Sequence, residues 1–217
     1  DTINYEFKKN KKKKSYSANQ KFKISFKKNL EFSNVGFFFD KKEPLIDKLS
    51  FKIKKGSKIG IVGESGSGKS TLIHLILGLL DAHKGKIKID GINLQKSNQI
   101  DWRSKIGYVG QKIALINGGV KDNIILDKKF NKKKFYKIVR ACSLENFIKK
   151  RINDSNLKSN ISAKISGGEA QRLGIARALY QEPKILIMDE STNAIDKTNE
   201  KKILQHIYSI PEITIFF

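Results

Sequence analysis

Gly63-Glu64-Ser65-Gly66-Ser67-Gly68-Lys69-Ser70-Thr71 places two glycines, with four residues between them, ahead of Lys and Ser, and this is a spacing that cradles phosphate. Glycines let the backbone turn through positive φ, so that successive N–H groups converge on phosphate oxygens. Lys69 then reaches the β and γ phosphates of a nucleoside triphosphate, and Ser70 offers its hydroxyl to Mg2+. Two carboxylates end an apolar run in Ile185-Leu-Ile-Met-Asp189-Glu190. Strand alternation sends neighbouring side chains in opposite directions, so the pair can divide the work. Asp189 can hold Mg2+ through water beside Ser70, and Glu190 can polarise an attacking water. Alone, adjacent acids after a strand are equally a solvated turn; a phosphate loop in the same chain favours the chemical role.

A third stretch, Ile165-Ser166-Gly167-Gly168-Glu169-Ala-Gln171-Arg172 and onward to Tyr180, opens with Ser and Glu at capping-box spacing and continues as a helix. It reads either as an ordinary helix start or as a second anion site, because two glycines and a helix amino terminus bare their N–H groups.

Elements must hold these residues in place. Lys58 to Val62 is a short apolar run read as a buried strand, and Thr71 to Leu80 reads as a helix packed on most sides. The phosphate loop thus joins strand to helix and faces the positive end of the helix dipole. Leu30 to Phe39 and Leu49 to Ile53 read as strands around the Asp40-to-Pro44 turn, and Lys86 to Gly91 as a third, ended by Asp-Gly. These form a small antiparallel layer. Ile106 to Val109, Ile185 to Asp189 and Ile213 to Phe217 read as buried parallel strands, with helical stretches at Lys132 to Lys150 and Lys197 to Tyr208.

Composition bounds the rest. The chain has 217 residues, a net charge of +23 and one cysteine, Cys142, which excludes an internal disulfide. No apolar stretch approaches the roughly 18 residues of a membrane span, so this piece is expected to be soluble. It begins with Asp and stops in an apolar run, and both ends are expected to be cut from something longer. Only five of the 44 basic residues are Arg. Nucleic-acid recognition favours the bidentate guanidinium, so no specific nucleic acid is expected as a partner. Residues 1–29 are polar and lysine-rich and read as a basic linker, either solvated or lying on anionic lipid.

The order of these motifs resembles the nucleotide-binding domain of ABC transporters, over residues 30–217. Gly63 to Thr71 is similar to the family's Walker A, and Gln111 after Ile-Gly-Tyr-Val-Gly to its Q-loop. Ser166-Gly167-Gly168-Glu169 is similar to the signature, Asp189-Glu190 to the end of Walker B, and Asn193-Ala-Ile-Asp196 to the D-loop. Phe39 stands where the family has an aromatic stacking on adenine. Glu169 replaces the more usual Gln, and Leu157-Lys-Ser-Asn-Ile-Ser162 replaces the Gly/Glu-rich segment that exporters carry before the signature. The Trp102-to-Val109 and Leu115-to-Ile124 stretches resemble exporter-type domains.

The resemblance implies an α/β fold: a P-loop NTPase core with a mostly parallel sheet, an antiparallel β subdomain and a helical subdomain carrying the signature. It implies ATP and Mg2+ as cofactors, with Ser70, Gln111 and Asp189 serving the metal and Glu190 as base. It implies a second ABC domain paired head to tail, so that each signature and Asp196 close over the partner's ATP. It further implies a transmembrane domain upstream in the same protein, a place at the cytoplasmic face of a membrane, and a switch His just beyond Phe217, since His206 lies in a helical stretch. The rival is a soluble ABC-type ATPase acting on nucleic acid or ribosomes.

Overall fold

The computed structural model describes residues 23–39, 43–152, 165–189, 191–192 and 194–217, and for 150–152 only the backbone. Among them are eight strands: β1 (Asn29–Phe37), β2 (Ile46–Lys54), β3 (Lys58–Ile59), β4 (Lys84–Ile89), β5 (Ile92–Asn93), β6 (Ile106–Val109), β7 (Ile185–Met188) and β8 (Thr214–Phe216). The helices are α1 (Lys69–Ile76), α2 (Gln99–Arg103), α3 (Val120–Ile125), α4 (Lys132–Ala141), α5 (Glu145–Ile152), α6 (Gly167–Tyr180) and α7 (Lys197–Ser209).

Two sheets divide the strands by type. The first is antiparallel in the order β2-β1-β4-β5, and the second is parallel in the order β3-β8-β7-β6. In the first, Phe32 of β1 lies opposite Phe51 of β2 with their rings stacked 4.4 Å apart. The hairpin from β4 to β5 turns at Asp90 and Gly91, both at positive φ, as a tight two-residue turn requires.

β7 explains why the molecule has two cores. All four of its residues are buried, and alternation sends Ile185 and Ile187 to one side and Leu186 and Met188 to the other. On the first side they meet the antiparallel sheet, α1 and Trp102; on the second they meet α3 to α7. An apolar strand buried on both faces is what parallel sheets carry. Trp102 anchors the first core by donating its indole N–H to the Ile76 carbonyl at 2.7 Å, at the end of α1.

Three local expectations need correction. The Lys58-to-Val62 run is not a buried strand. β3 lies at the sheet edge, its residues alternate between exposed and half-buried, and Val62 is 92% exposed. The helical stretch from Lys132 is two helices. Ser143 adopts φ 52, and Leu144 turns inward to full burial between them. Finally, packing reaches back into the stretch expected as linker. Ile24 and Phe26 are buried, the Phe26 ring sits edge-on to Trp102 at 5.8 Å, and the Ile24 N–H donates to Asp101. Asp90 secures the same segment by accepting hydrogen bonds from the backbone N–H groups of Lys27, Lys28 and Asn29 at 2.7, 2.8 and 2.9 Å. The Asp40-to-Pro44 turn lies partly outside the described residues.

Candidate functional site

The glycine-rich loop leaves the carboxyl end of β3 and enters α1. Its residues Gly63, Glu64, Ser65, Gly66 and Ser67 are exposed, and Thr71 is buried under the helix. Gly68 caps α1 at φ 91, in the left-handed region that disfavours any side chain. Neither a side-chain cap nor an acidic residue serves the first turn of α1 among the described residues, so its N–H groups face the loop with their partial positive charge uncompensated by the chain. Lys69 folds over the loop and donates to the carbonyls of Gly63 and Glu64 at 2.6 and 2.7 Å. The loop thus concentrates donors and one cation at a single exposed spot, with the hydroxyl of Ser70 exposed beside them. That is the chemistry of a polyphosphate cradle.

The parallel sheet brings further groups to the same edge. β3, β7 and β6 all end there, and in parallel sheets ligands bind beyond the carboxyl ends of the strands. Asp189 follows β7, its N–H donating to the Val109 carbonyl at 2.9 Å. Gln111, exposed, follows β6 two residues beyond Val109. Strand order brings the segments that carry Lys69, Gln111 and Asp189, 42 and 78 residues apart in the chain, to the same end of the sheet. Tyr108, which the sequence reading did not single out, donates its phenol hydrogen bond to Asp189 Oδ2 at 3.2 Å. Burial, then the Asp189 charge and that hydrogen bond, push the phenol up to about 12. Serine hydroxyl and carboxylate are hard oxygen donors, the set that suits Mg2+. Among the described residues no group of three or more His, Cys, Asp or Glu forms a metal cluster.

The start of α6 is built differently from that of α1. The Ser166 hydroxyl accepts from the Glu169 N–H at 3.3 Å, and the Glu169 carboxylate accepts from the Ser166 N–H at 2.9 Å and its hydroxyl at 2.8 Å. This is the capping box expected from the spacing. Gly167 and Gly168 follow. A side chain on Gly168 would place its Cβ 2.6 Å from the Ala194 carbonyl oxygen, so this glycine is fixed by close approach of the 194–196 segment. Gln171 accepts from the Ala194 N–H at 3.0 Å, joining α6 to that segment. Asp196 caps α7, accepting from the Asn199 backbone and side-chain amides at 3.0 and 2.8 Å, which hold its carboxyl below the usual range. Glu190 and Asn193 lie outside the described residues.

Two other features bear on the site. Phe39 is 71% exposed at the end of the antiparallel sheet, its ring edge-on to Phe37 at 5.0 Å. Arg177 of α6, also unmarked by the sequence reading, donates to the Asn123 carbonyl at 2.8 Å, the Ala114 carbonyl at 2.8 Å and Asn123 Oδ1 at 3.0 Å. It ties the segment after Gln111 to the helix that begins at Ser166. The one available signal was an Arg on the otherwise apolar run Gly174 to Leu179.

Residues 46–193 match the family model described as ABC transporter. The chain belongs to the ABC transporter family. It is 34% identical over 196 residues to the lactococcin-G-processing and transport ATP-binding protein LagD of Lactococcus lactis, covering 88% of this chain and 28% of that protein. Its identity to the β-(1→2)glucan export ATP-binding/permease protein NdvA of Rhodopseudomonas palustris is 38% over 179 residues, covering 80% of this chain and 29% of that protein. Among solved structures it resembles a bacterial Atm1-family ABC exporter with ATP bound, at a TM-score of 0.82 and 30% identity, covering 93% of this chain and 36% of the exporter. The chain spans about a third of the length of the curated relatives it matches. The α/β fold is therefore that of an ABC exporter's nucleotide-binding part. No helix among the described residues is long and apolar enough to cross a membrane.

Proposed function

We propose that this chain is the ATP-binding and ATP-hydrolysing part of an exporter-like ABC transporter. The observation that supports the reading is that the uncapped start of α1 with Lys69, Asp189 and Gln111 all follow the carboxyl ends of strands of one parallel sheet. Loop amides from Gly63 to Thr71 and the Lys69 ammonium hold the phosphates, and Phe39 stacks on the adenine. Lys69 exchanges two loop carbonyls for phosphate oxygens, so its donors are already aimed before the nucleotide arrives. Ser70, Gln111 and Asp189 hold Mg2+. When bound, the metal supplies charge neutralisation for the transferred phosphoryl group. Glu190 accepts a proton from the attacking water, and the remaining acceleration comes from positioning.

Two such domains pair head to tail, with Ser166 to Glu169 and Asp196 of each facing the ATP held by the other. Closure on ATP and opening after hydrolysis move a membrane domain that belongs to the same, longer protein, at the cytoplasmic face of the membrane. The names of the longer relatives, one for β-(1→2)glucan export and one for lactococcin-G processing and transport, support an exporter over a soluble ATPase acting on nucleic acid or ribosomes.

Glu190→Gln tests the assignment. The variant is expected to bind ATP as the parent does, to hydrolyse it orders of magnitude more slowly, and to sediment as an ATP-dependent dimer. Turnover at the parent rate would place the base elsewhere, and a monomer that holds ATP without dimerising would refute the head-to-tail arrangement.

A further inference from the structure

We propose that Tyr108 is a positioning residue that fixes the Asp189 carboxylate for a divalent cation, and that Gly110 is the residue that lets it do so. This inference rests on the reading of Asp189 as a carboxylate serving Mg2+. Asp189 stands one residue past the last paired position of β7, held through its backbone by Val109. A carboxylate there can rotate about χ1 and χ2, and every alternative rotamer moves its oxygens by ångströms relative to the loop. The Tyr108 hydroxyl removes that freedom by donating to Oδ2 at 3.2 Å. It leaves Oδ1 and a lone pair on Oδ2 for water around a cation.

Reaching Asp189 requires the Tyr108 ring to lie along its own strand, across residue 110. A Cβ on Gly110 would stand 3.1 Å from the Tyr108 hydroxyl oxygen and 3.2 and 3.3 Å from ring carbons, tighter than ordinary contact. Glycine at 110 is therefore the seat of the ring. Sheet cohesion does not explain the bond, because β6 and β7 already pair through all four residues of each, from Ile106↔Ile185 to Val109↔Met188. Nor does burial, since Tyr108 is 43% exposed and could have turned to water.

The test is metal affinity, read apart from turnover. Mn2+ binding is titrated by electron paramagnetic resonance in the presence of a non-hydrolysable ATP analogue, and affinity for the metal-free analogue is measured in EDTA. Tyr108→Phe is expected to weaken Mn2+ about tenfold, the scale at which outer-shell partners of ligands act, with metal-free affinity unchanged. Gly110→Ala, with Tyr108 intact, is expected to move in the same direction. In an Asp189→Asn background, itself far weaker for Mn2+, Tyr108→Phe is expected to add nothing. In protein labelled with 3-fluorotyrosine, the Tyr108 resonance is expected to shift on Asp189→Asn. Parent-like Mn2+ affinity in Tyr108→Phe, with Asp189→Asn impaired, would overturn the positioning role and leave the site reading standing. Parent-like affinity in Asp189→Asn would overturn the site reading, and this inference with it.

Discussion

Arg177→Ala is expected to be the most damaging single change away from the phosphate loop. Its guanidinium makes three hydrogen bonds, one of 2.8 Å to Ala114 in the segment after Gln111 and two of 2.8 and 3.0 Å to Asn123 within α3. Bonds from a charged donor are worth about 1.5–3 kcal/mol each. Two terms reduce the sum. Asn123 Oδ1 keeps a second donor, the Ile116 N–H at 3.0 Å. Burial, which lowers the Arg177 pKa, shows that the charge is held partly out of water, and alanine relieves that cost. The net loss is about 3 kcal/mol. With a urea slope of about 2 kcal/mol/M, the midpoint is expected to fall by about 1.5 M.

Trp102, the one tryptophan and fully buried, reports the transition by fluorescence from the opposite core. Arg177→Lys keeps the charge but loses the fork, so it is expected to recover less than half of the loss. A midpoint within about 0.3 M of the parent for Arg177→Ala, below about 1 kcal/mol by the same slope, would refute the clamp. So would full rescue by lysine.

Two further outcomes are expected. Asp90→Asn weakens the tie to residues 27–29 by about 1 kcal/mol. Burial opposes ionisation of Asp90, but its three backbone hydrogen bonds outweigh it and hold the carboxyl below the usual Asp range. That stability is therefore present above the unfolded Asp pKa of about 3.9 and is lost as pH falls through the lower folded value. Chemical denaturation across pH should show parent and variant converging only in acid; a gap that persists there would contradict the assignment. Ser166→Arg, which fills the start of α6, is expected to spare ATP binding by a monomer and suppress hydrolysis, and an equal loss of both would argue that α6 serves the chain's own nucleotide.

What could be read from the chain follows from the range of each signal. β7 was legible because a strand buried on both faces is apolar throughout. The uncapped loop was legible because glycine and lysine spacing is local. The edge position of β3 was not, because an apolar run does not state which strands flank it. The break at Ser143 was missed because a left-handed Ser carries no Gly or Pro mark. Burial of Ile24 and Phe26 was hidden by their lysine-rich neighbours and depends on Asp90 and Trp102, more than 60 residues away in the chain. Tyr108 and Arg177 act across 81 and 54 residues, through strand register and helix packing that no window of sequence contains.

In the proposed function the Gly63-to-Thr71 loop binds a nucleoside triphosphate through its amides and Lys69. Calorimetric titration of Mg·ATP into this chain and into Lys69→Ala tests it most directly. Saturable binding by the parent is expected, with affinity at least about a hundredfold weaker in the variant, the scale of losing charge-assisted bonds to phosphate. Equal affinity in the two, or no binding by the parent, would contradict it.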